Sequence, residues 1–214
     1  MSTGLRGVVA GLFALLALIF VAAYPASADT AKPLKGVALI IGQSKYEHLA
    51  ALANPANDAR EMEKTLRELG FEPTVLTDLN TKKLKRDLEN FAADAEGADV
   101  VVVYYSGHGI EAGGENWLVP VDADLSALDD ADKKLVPLSP LLDTLKATVP
   151  VTLLFLDACR SNPFPAGALL KKDGQASPVS ASGLAPSKGF TPADASATQE
   201  GGSRSSQGVR LCSR

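Results

Sequence analysis

Short, wholly apolar segments alternate along this chain with amphipathic segments of helical period. Apolar runs of strand length occur at 36–42, 100–105 and 151–156. Uninterrupted runs of this kind are typical of strands that are buried on both faces of a parallel sheet. A further strand is predicted at 71–77, and Pro73 favours an edge position for it because proline cannot donate to a neighbouring strand.

Three helices are predicted between these strands. The first runs from Asn57 to Gly70, the second from Thr81 to Ala95, and the third opens at Ser139-Pro140 with the serine as N-cap. Residues 111–121 favour a hairpin. Strands that alternate with helices predict crossover connections and a parallel sheet, so the pattern indicates one α/β domain.

The N-terminal residues have the layout of an export signal. Arg6 precedes an apolar run over residues 8–23, and the triplet Ala26-Ser27-Ala28 follows. This run is shorter than the about 20 residues that a spanning helix needs. We therefore expect a signal peptide over residues 1–28, cleaved after Ala28, and a periplasmic or secreted protein. An uncleaved membrane anchor is the alternative.

The composition changes abruptly near residue 171. Residues 171–214 are dominated by Ser, Gly, Ala, Pro, Lys and Arg and show neither strand nor helix period. Such a segment buries too little apolar surface to fold, so we expect a disordered tail. The predicted globular domain then covers residues 33–168.

Composition and charge exclude some classes of function. Hydrophobic residues make up 46% of the chain and charged residues 21%, as in ordinary globular domains. The net charge of −4 provides no basic surface, which disfavours nucleic acid as a partner. The two cysteines, Cys159 and Cys212, do not form a disulfide framework, because one follows a core strand and the other lies near the end of the tail.

Two polar motifs directly follow two of the predicted core strands. Ser106-Gly107-His108-Gly109 follows one, and Asp157-Ala158-Cys159-Arg160 follows the other. In open α/β sheets the reactive groups gather beyond the carboxyl ends of the strands. Neighbouring strands would bring Cys159 and His108 together as the nucleophile and base of a cysteine hydrolase. The alternatives are a buried structural cysteine and a loop histidine.

These motifs resemble those of the caspase superfamily, specifically its bacterial metacaspase-like branch. The histidine precedes the cysteine by 51 residues, close to the about 50 of a caspase signature. The resemblance covers about Lys35 to Pro165 and implies a caspase-like (caspase-hemoglobinase) three-layer α/β/α sandwich with a mainly parallel central sheet. Other segments that carry it are Ala38–Gly42 with Tyr46, Asn57-Asp58-Ala59 and Trp117–Asp122.

The resemblance implies a cysteine endopeptidase that acts on proteins or peptides. Cys159 is implied as the nucleophile and His108 as the group that protonates the leaving amine. The N–H groups of Gly109 and Cys159 are implied as donors to the oxyanion. Arg160 follows the nucleophile, where its charge either lowers the thiol pKa or only anchors the loop. A general α/β hydrolase with other substrates is disfavoured by the whole set of motifs.

The resemblance also implies a substrate pocket. Asp157, Asp58 and Ser106 are implied to line an acidic site that takes Arg or Lys before the cleaved bond, since carboxylates bind a guanidinium through paired, charge-assisted hydrogen bonds. Two alternatives stay open. Asp58 also fits a charge at a helix N-terminus, and Ser106 fits a turn.

Two features of the family are in question here. The acidic loop over residues 122–132 invites a calcium site, but its spacing is not that of an EF-hand, so we expect a solvated loop and no cofactor, with calcium as the alternative. The small-subunit half that completes caspase-like sheets would begin near Ser182–Pro186, which resembles that region, but no strand pattern follows and residues 197–206 are mostly small and polar. We expect this half to be missing, through truncation, a frameshift or a natural disordered tail. A non-catalytic caspase-like interaction module is therefore the alternative function.

Overall fold

The computed structural model describes residues 32–125, 131–158, 167–180, 184–185, 191–192 and 207–209. The predicted signal peptide and Cys159 lie outside the described residues. No helix in the described ranges is long and apolar enough to cross a bilayer.

The elements follow one another in an alternating α/β order. They are β1 (Gly36–Gly42), α1 (Pro55–Glu68), β2 (Glu72–Thr77), α2 (Thr81–Asp94), β3 (Val100–Ser106), β4 (Gly109–Ala112), β5 (Glu115–Leu118), α3 (Ala131–Lys134), β6 (Val136–Pro137), α4 (Ser139–Thr148), β7 (Val151–Asp157), β8 (Leu169–Lys172), β9 (Gln175–Pro178), β10 (Thr191–Pro192) and β11 (Gln207–Val209).

The central sheet has the order β10-β11-β7-β3-β1-β2, and every adjacent pair in it is parallel. The mainly parallel α/β sheet predicted from the apolar runs is confirmed. The edge position predicted for the strand with Pro73 is also confirmed, since β2 pairs with β1 alone among the described strands.

Helices cover both faces of this sheet. On one face, Ala59 and Leu66 of α1 pack against alternate side chains of β1 and β3. On the other face, the apolar sides of α2 and α4 pack against the intervening side chains, among them Leu39 and Val103, which are fully buried. The central strands β1 and β3 are almost wholly apolar because helices cover both of their faces.

Two helix starts differ from the predictions. Helix α1 begins at Pro55, two residues before the predicted start, because proline is tolerated in the first turn of a helix. The prediction of Ser139 as N-cap is wrong: Leu138 holds that position and Ser139 is the first helical residue. The Ser139 hydroxyl donates instead to the carboxylate of Glu115 on β5.

The expectation of disorder from residue 171 onward is wrong for residues 171–180. Strands β8 and β9 form an antiparallel hairpin, and Val179 pairs with Ala112 at the end of β4. The turn is Asp173-Gly174, with φ of 48° and 77°. An Asp-Gly pair is the dipeptide that favours a two-residue hairpin turn, because both residues tolerate positive φ. This local turn signal outweighs the low apolar content of the segment.

A second piece of the tail is bound to the hairpin that follows β3. The side-chain amide of Asn116 donates to the Ala185 carbonyl at 2.7 Å and accepts from the Ala185 N–H at 2.8 Å. Leu184 is 5% exposed and belongs to the main core. It lies against Gly109, where an added Cβ would come within 2.9 Å of it. The chain after the predicted domain therefore contributes to the core.

The sheet also continues beyond β7. Strand β11 pairs with β7, and β10 pairs with β11, both in parallel. No strand is predicted in this region because Gly and Ser interrupt the apolar pattern. The expectation that residues 171–214 contain no strand is therefore also wrong for these two short strands.

The Asn116 contact predicts a measurable effect on stability. Asn116→Ala removes two part-buried hydrogen bonds and should lower the free energy of unfolding by about 1–3 kcal/mol in urea titrations. Asn90→Ala, at an exposed position of α2, serves as the matched control and should change it by less than about 0.5 kcal/mol. Equal effects of the two substitutions would contradict the docking of Leu184 and Ala185.

Candidate active site

Adjacent parallel strands bring the two motifs to the same edge of the sheet. In the register of β3 and β7, Ser106 lies opposite Asp157, and the Gly107 N–H donates to the Asp157 carbonyl at 3.4 Å. His108 follows Ser106 by two residues, as Cys159 follows Asp157. Residues 159–166 are outside the described ranges, so the structure gives the position of His108 and of the strand that leads to Cys159.

The His108 ring contacts a backbone carbonyl. Its Nε2 lies 3.0 Å from the carbonyl oxygen of Ala50, in the loop after β1. A carbonyl can only accept, so Nε2 carries the hydrogen in this contact. In a neutral imidazole Nδ1 is then unprotonated and able to accept a proton. The carbonyl thus selects the tautomer that a general base requires.

Two tyrosine hydroxyls contact the backbone of the same histidine. The His108 N–H donates to the Tyr46 hydroxyl at 2.7 Å, and the Tyr105 hydroxyl donates to the His108 carbonyl. The Tyr46 ring also packs on the imidazole, with 4.5 Å between ring centroids. Gly107 allows this approach, since an added Cβ would lie 2.8 Å from both hydroxyl oxygens.

The loop that carries Tyr46 and Ala50 is held at its base by side chains. The Gln43 amide donates to the Leu79 carbonyl at 3.0 Å and accepts from the Leu79 N–H at 2.8 Å. The Asp78 carboxylate accepts the N–H groups of the two residues after Gln43 at 2.7 and 3.0 Å. These bonds fix the start of an irregular loop that provides two contacts to His108.

Gly109 begins β4 with its N–H outside the β4–β5 ladder. Gly109 lies opposite Leu118 in the register of β4 and β5. One residue earlier, the Val119 N–H donates to the His108 carbonyl at 3.1 Å. In an antiparallel pair this pattern marks Gly109 as a non-hydrogen-bonded position, whose N–H and carbonyl point away from β5. The Gly109 N–H is therefore left outside the β4–β5 hydrogen bonds, and its predicted oxyanion role stays a prediction.

The three predicted pocket residues lie together on the face of the sheet that α1 covers. Ser106 hydrogen-bonds the Asp58 carboxylate, and Asp157 is near enough to act on Asp58 electrostatically. Tyr104, which no sequence motif indicated, joins them with its hydroxyl 3.5 Å from Asp157 Oδ2. We call Asp58, Tyr104, Ser106 and Asp157 the acidic cluster.

Like charges in this cluster disfavour full ionisation. Burial, and secondly the charge of Asp157, raise the pKa of the Asp58 carboxyl, while the Ser106 hydroxyl lowers it. Burial with the two carboxylates raises the pKa of Tyr104 to about 12. Asp58 also lies in the first turn of α1, so its alternative role as a charge at a helix N-terminus stays open. A bound cation would offset the repulsion between the Asp58 and Asp157 carboxylates.

The whole domain matches one family. The caspase domain model of peptidase family C14 matches residues 35–210. This chain belongs to the caspase-domain family. The resemblance seen in the motifs is confirmed at this level, and the bacterial metacaspase-like branch stays a prediction. The family match also extends past the predicted domain end at residue 168, into the segment that carries β8 to β11.

Curated relatives share part of this domain. Mucosa-associated lymphoid tissue lymphoma translocation protein 1 of Homo sapiens is 34% identical over 87 residues, which is 41% of this chain and 11% of that protein. Its Mus musculus homolog is 34% identical over 97 residues, which is 44% of this chain and 12% of the homolog. The chain thus matches about a tenth of the length of these relatives.

Solved structures are similar at lower identity. A Geobacter sulfurreducens protein has a TM-score of 0.46 and 21% identity, over 60% of this chain and 52% of that one. The Drosophila initiator caspase Dronc has a TM-score of 0.46 and 15% identity, over 61% of this chain and 51% of that one.

The first residue of the predicted acidic loop, Asp122, binds the start of α2. Asp122 Oδ1 accepts from the N–H and the hydroxyl of Thr81 at 2.8 and 2.9 Å, at the start of α2. The described residues contain no group of three His, Cys, Asp or Glu side chains that could hold a metal ion. Asp129, Asp130 and Asp132 of the predicted loop lie outside the residues whose side chains are described.

The raised pKa of Asp58 predicts how stability depends on pH. The native state retains this proton to higher pH than the unfolded chain, so the cost of ionising Asp58 grows as pH rises above 3.8, the ordinary value, through the native pKa. Asp58→Asn should therefore unfold at higher temperature than the wild type at pH 7.5, with a gap that closes near pH 3.

Thermal unfolding at both pH values tests this, with the exposed Asp143→Asn as the matched control. A lower unfolding temperature for Asp58→Asn at pH 7.5 would show that the helix-terminal role of this carboxylate dominates.

Proposed function

We propose that this caspase-family protein is an exported cysteine endopeptidase that cleaves after Arg or Lys through Cys159 and His108. The observation that carries the proposal is the pair of sites on the two sides of β3. One side leads to His108 with the tautomer of a base, and the other holds the acidic cluster. Caspase-like proteases act on protein substrates, which agrees with the first part of the proposal.

In the proposed reaction the Cys159 thiol loses its proton to His108 and the sulfur attacks the scissile carbonyl carbon. The Gly109 and Cys159 N–H groups donate to the oxyanion. As the C–N bond breaks, His108 returns the proton to the leaving amine. Water then hydrolyses the thioester, with His108 again taking a proton. The Ala50 carbonyl stabilises the imidazolium in both steps.

The basic specificity rests on the acidic cluster. The carboxylates of Asp58 and Asp157 lie close enough to repel each other, beside the hydroxyls of Ser106 and Tyr104. A guanidinium or ammonium group that enters the cluster replaces repulsion between the carboxylates by attraction to both. An Asp side chain would add a third negative charge.

A non-catalytic interaction module is the second candidate. It was favoured by the expectation of a missing half, which β10, β11 and the docking of Leu184 weaken. Active-site-directed alkylation of Cys159 separates the two candidates, because an interaction module has no need of a reactive thiol.

The catalytic roles predict two severe losses of activity. Cys159→Ala should abolish hydrolysis of an Arg-containing peptide, and His108→Ala should lower kcat by several orders of magnitude, because groups that act as a unit lose activity together. His48→Ala and Cys212→Ala replace the other histidine and the other cysteine, and both should keep wild-type kcat. Turnover by a pure Cys159→Ala protein would exclude this mechanism.

The acidic cluster predicts a preference measurable as kcat/KM. Peptides with Arg or Lys before the cleaved bond should exceed the matching Asp peptide by at least about 100-fold. Asp157→Asn should lower kcat/KM for the Arg peptide by about tenfold or more, and Asp143→Asn on the exposed side of α4 should not. A preference for the Asp peptide would refute the assignment of the pocket.

A further inference from the structure

The proposed mechanism uses the His108 ring but leaves unexplained why two buried tyrosines contact its backbone. Tyr105 is fully buried, Tyr46 is 8% exposed and His108 is 7% exposed. The tyrosines come from different segments, since Tyr105 belongs to β3 and Tyr46 to the loop after β1. Both hydroxyls nevertheless contact the backbone of His108. The Tyr46 hydroxyl binds its N–H, and the Tyr105 hydroxyl binds its carbonyl.

The hydrogens in this group can be assigned one by one. The His108 N–H donates to the Tyr46 oxygen, and the Tyr105 O–H donates to the His108 carbonyl. The two hydroxyls also hydrogen-bond each other. Because the Tyr105 hydrogen is already used, we assign the hydrogen of this last bond to Tyr46. The bonds then form a closed ring, from His108 N–H to Tyr46, to Tyr105, and back to the His108 carbonyl.

The ring has two supports that are not part of it. The Gly107 Cα faces both hydroxyls, and any side chain there would push them apart, since its Cβ would lie 2.8 Å from each oxygen. The His108 carbonyl also accepts from the Val119 N–H at 3.1 Å. Loss of Tyr105 would thus leave this carbonyl one partner, whereas loss of Tyr46 would leave a buried N–H with none in this ring.

We propose that Tyr46 and Tyr105 are positioning residues, whose hydroxyl ring fixes the His108 backbone so that its imidazole keeps Nε2 on the Ala50 carbonyl and Nδ1 available for proton transfer. The proposal rests on the catalytic role proposed for His108. It assigns the two hydroxyls to the proton-transfer step and not to substrate binding, because the acidic cluster lies on the opposite face of β3.

Phenylalanine variants test the ring without creating cavities. Tyr46→Phe keeps the ring contact with the imidazole and should lower kcat for an Arg peptide by about tenfold, with KM unchanged, since a buried N–H is left unsatisfied. Tyr105→Phe should lower kcat by less, about threefold, because the His108 carbonyl retains Val119. The double variant should be no worse than Tyr46→Phe alone, because both hydroxyls act through one ring.

Two comparison variants separate positioning from a general loss of buried hydroxyls. Thr152→Val removes a buried hydroxyl that has no partner among the described residues, and it should leave kcat unchanged. Tyr104→Phe removes the hydroxyl of the neighbouring tyrosine in the acidic cluster and should raise KM for the Arg peptide without lowering kcat.

A second readout does not depend on turnover. In a Cys159→Ala, His48→Gln background His108 is the single histidine, so its imidazole nitrogens can be followed by NMR. The protein with both tyrosines should show the Nε2-protonated tautomer at neutral pH, and Tyr46→Phe should show a mixture of tautomers. If no peptide is cleaved by the wild type, the proposed function fails. The spectrum still tests whether the two tyrosine hydroxyls determine the tautomer of His108.

The proposal is overturned by any of three results. The first is a wild-type kcat and an unchanged tautomer in both Phe variants. The second is a fall in kcat as large in Thr152→Val as in Tyr46→Phe. The third is a double variant whose loss is the product of the two single losses, which would mean that the hydroxyls act independently.

Discussion

The register of three parallel strands determines what this protein can bring together at the carboxyl edge of its sheet. Gly42, Ser106 and Asp157 lie at one level across β1, β3 and β7. The side-chain period of a strand is two, so a shift of one residue would exchange its faces. In β3 such a shift would send Tyr104 toward the α2 side and Tyr105 toward the acidic carboxylates. Burial of both faces by helices makes this shift costly, and the apolar cores therefore fix the geometry of the polar groups.

Beyond the ends of the strands, side-chain amides and carboxylates supply the hydrogen bonds to the backbone that neighbouring strands supply within the sheet. Gln43 binds both polar groups of the Leu79 backbone, and Asn116 does the same for Ala185. Asp122 accepts two bonds at the start of α2. Buried backbone groups in irregular loops need partners. Side chains at fixed positions supply them here, so loops from distant parts of the sequence stay bound to one another.

The sequence predicts those parts of the fold in which many residues repeat one signal. The apolar runs of β1, β3 and β7 and the periodic faces of α1 and α2 are of this kind, and so is the arrival of two motifs at one edge. Contributions of single residues escape such patterns. The Ala50 carbonyl has no side-chain signature, and Leu184 enters a core that other elements have already formed. The Asp173-Gly174 pair is itself a hairpin signal, but the low apolar content of the flanking residues favours disorder in a prediction from sequence.

The two neighbouring tyrosines of β3 show how one strand can serve two chemical tasks. Alternation directs Tyr104 to the carboxylates under α1 and Tyr105 to the backbone of His108. A hydroxyl suits both places because it donates to a carboxylate in one and to a carbonyl in the other. β3, which carries both tyrosines, is buried on both faces, so the acidic cluster and the His108 backbone are held at a constant separation. A flexible loop carrying both groups could bind the substrate and still leave the imidazole misplaced. Under the proposed function, this separation is the physical reason to expect binding and proton transfer to respond to different substitutions in adjacent residues.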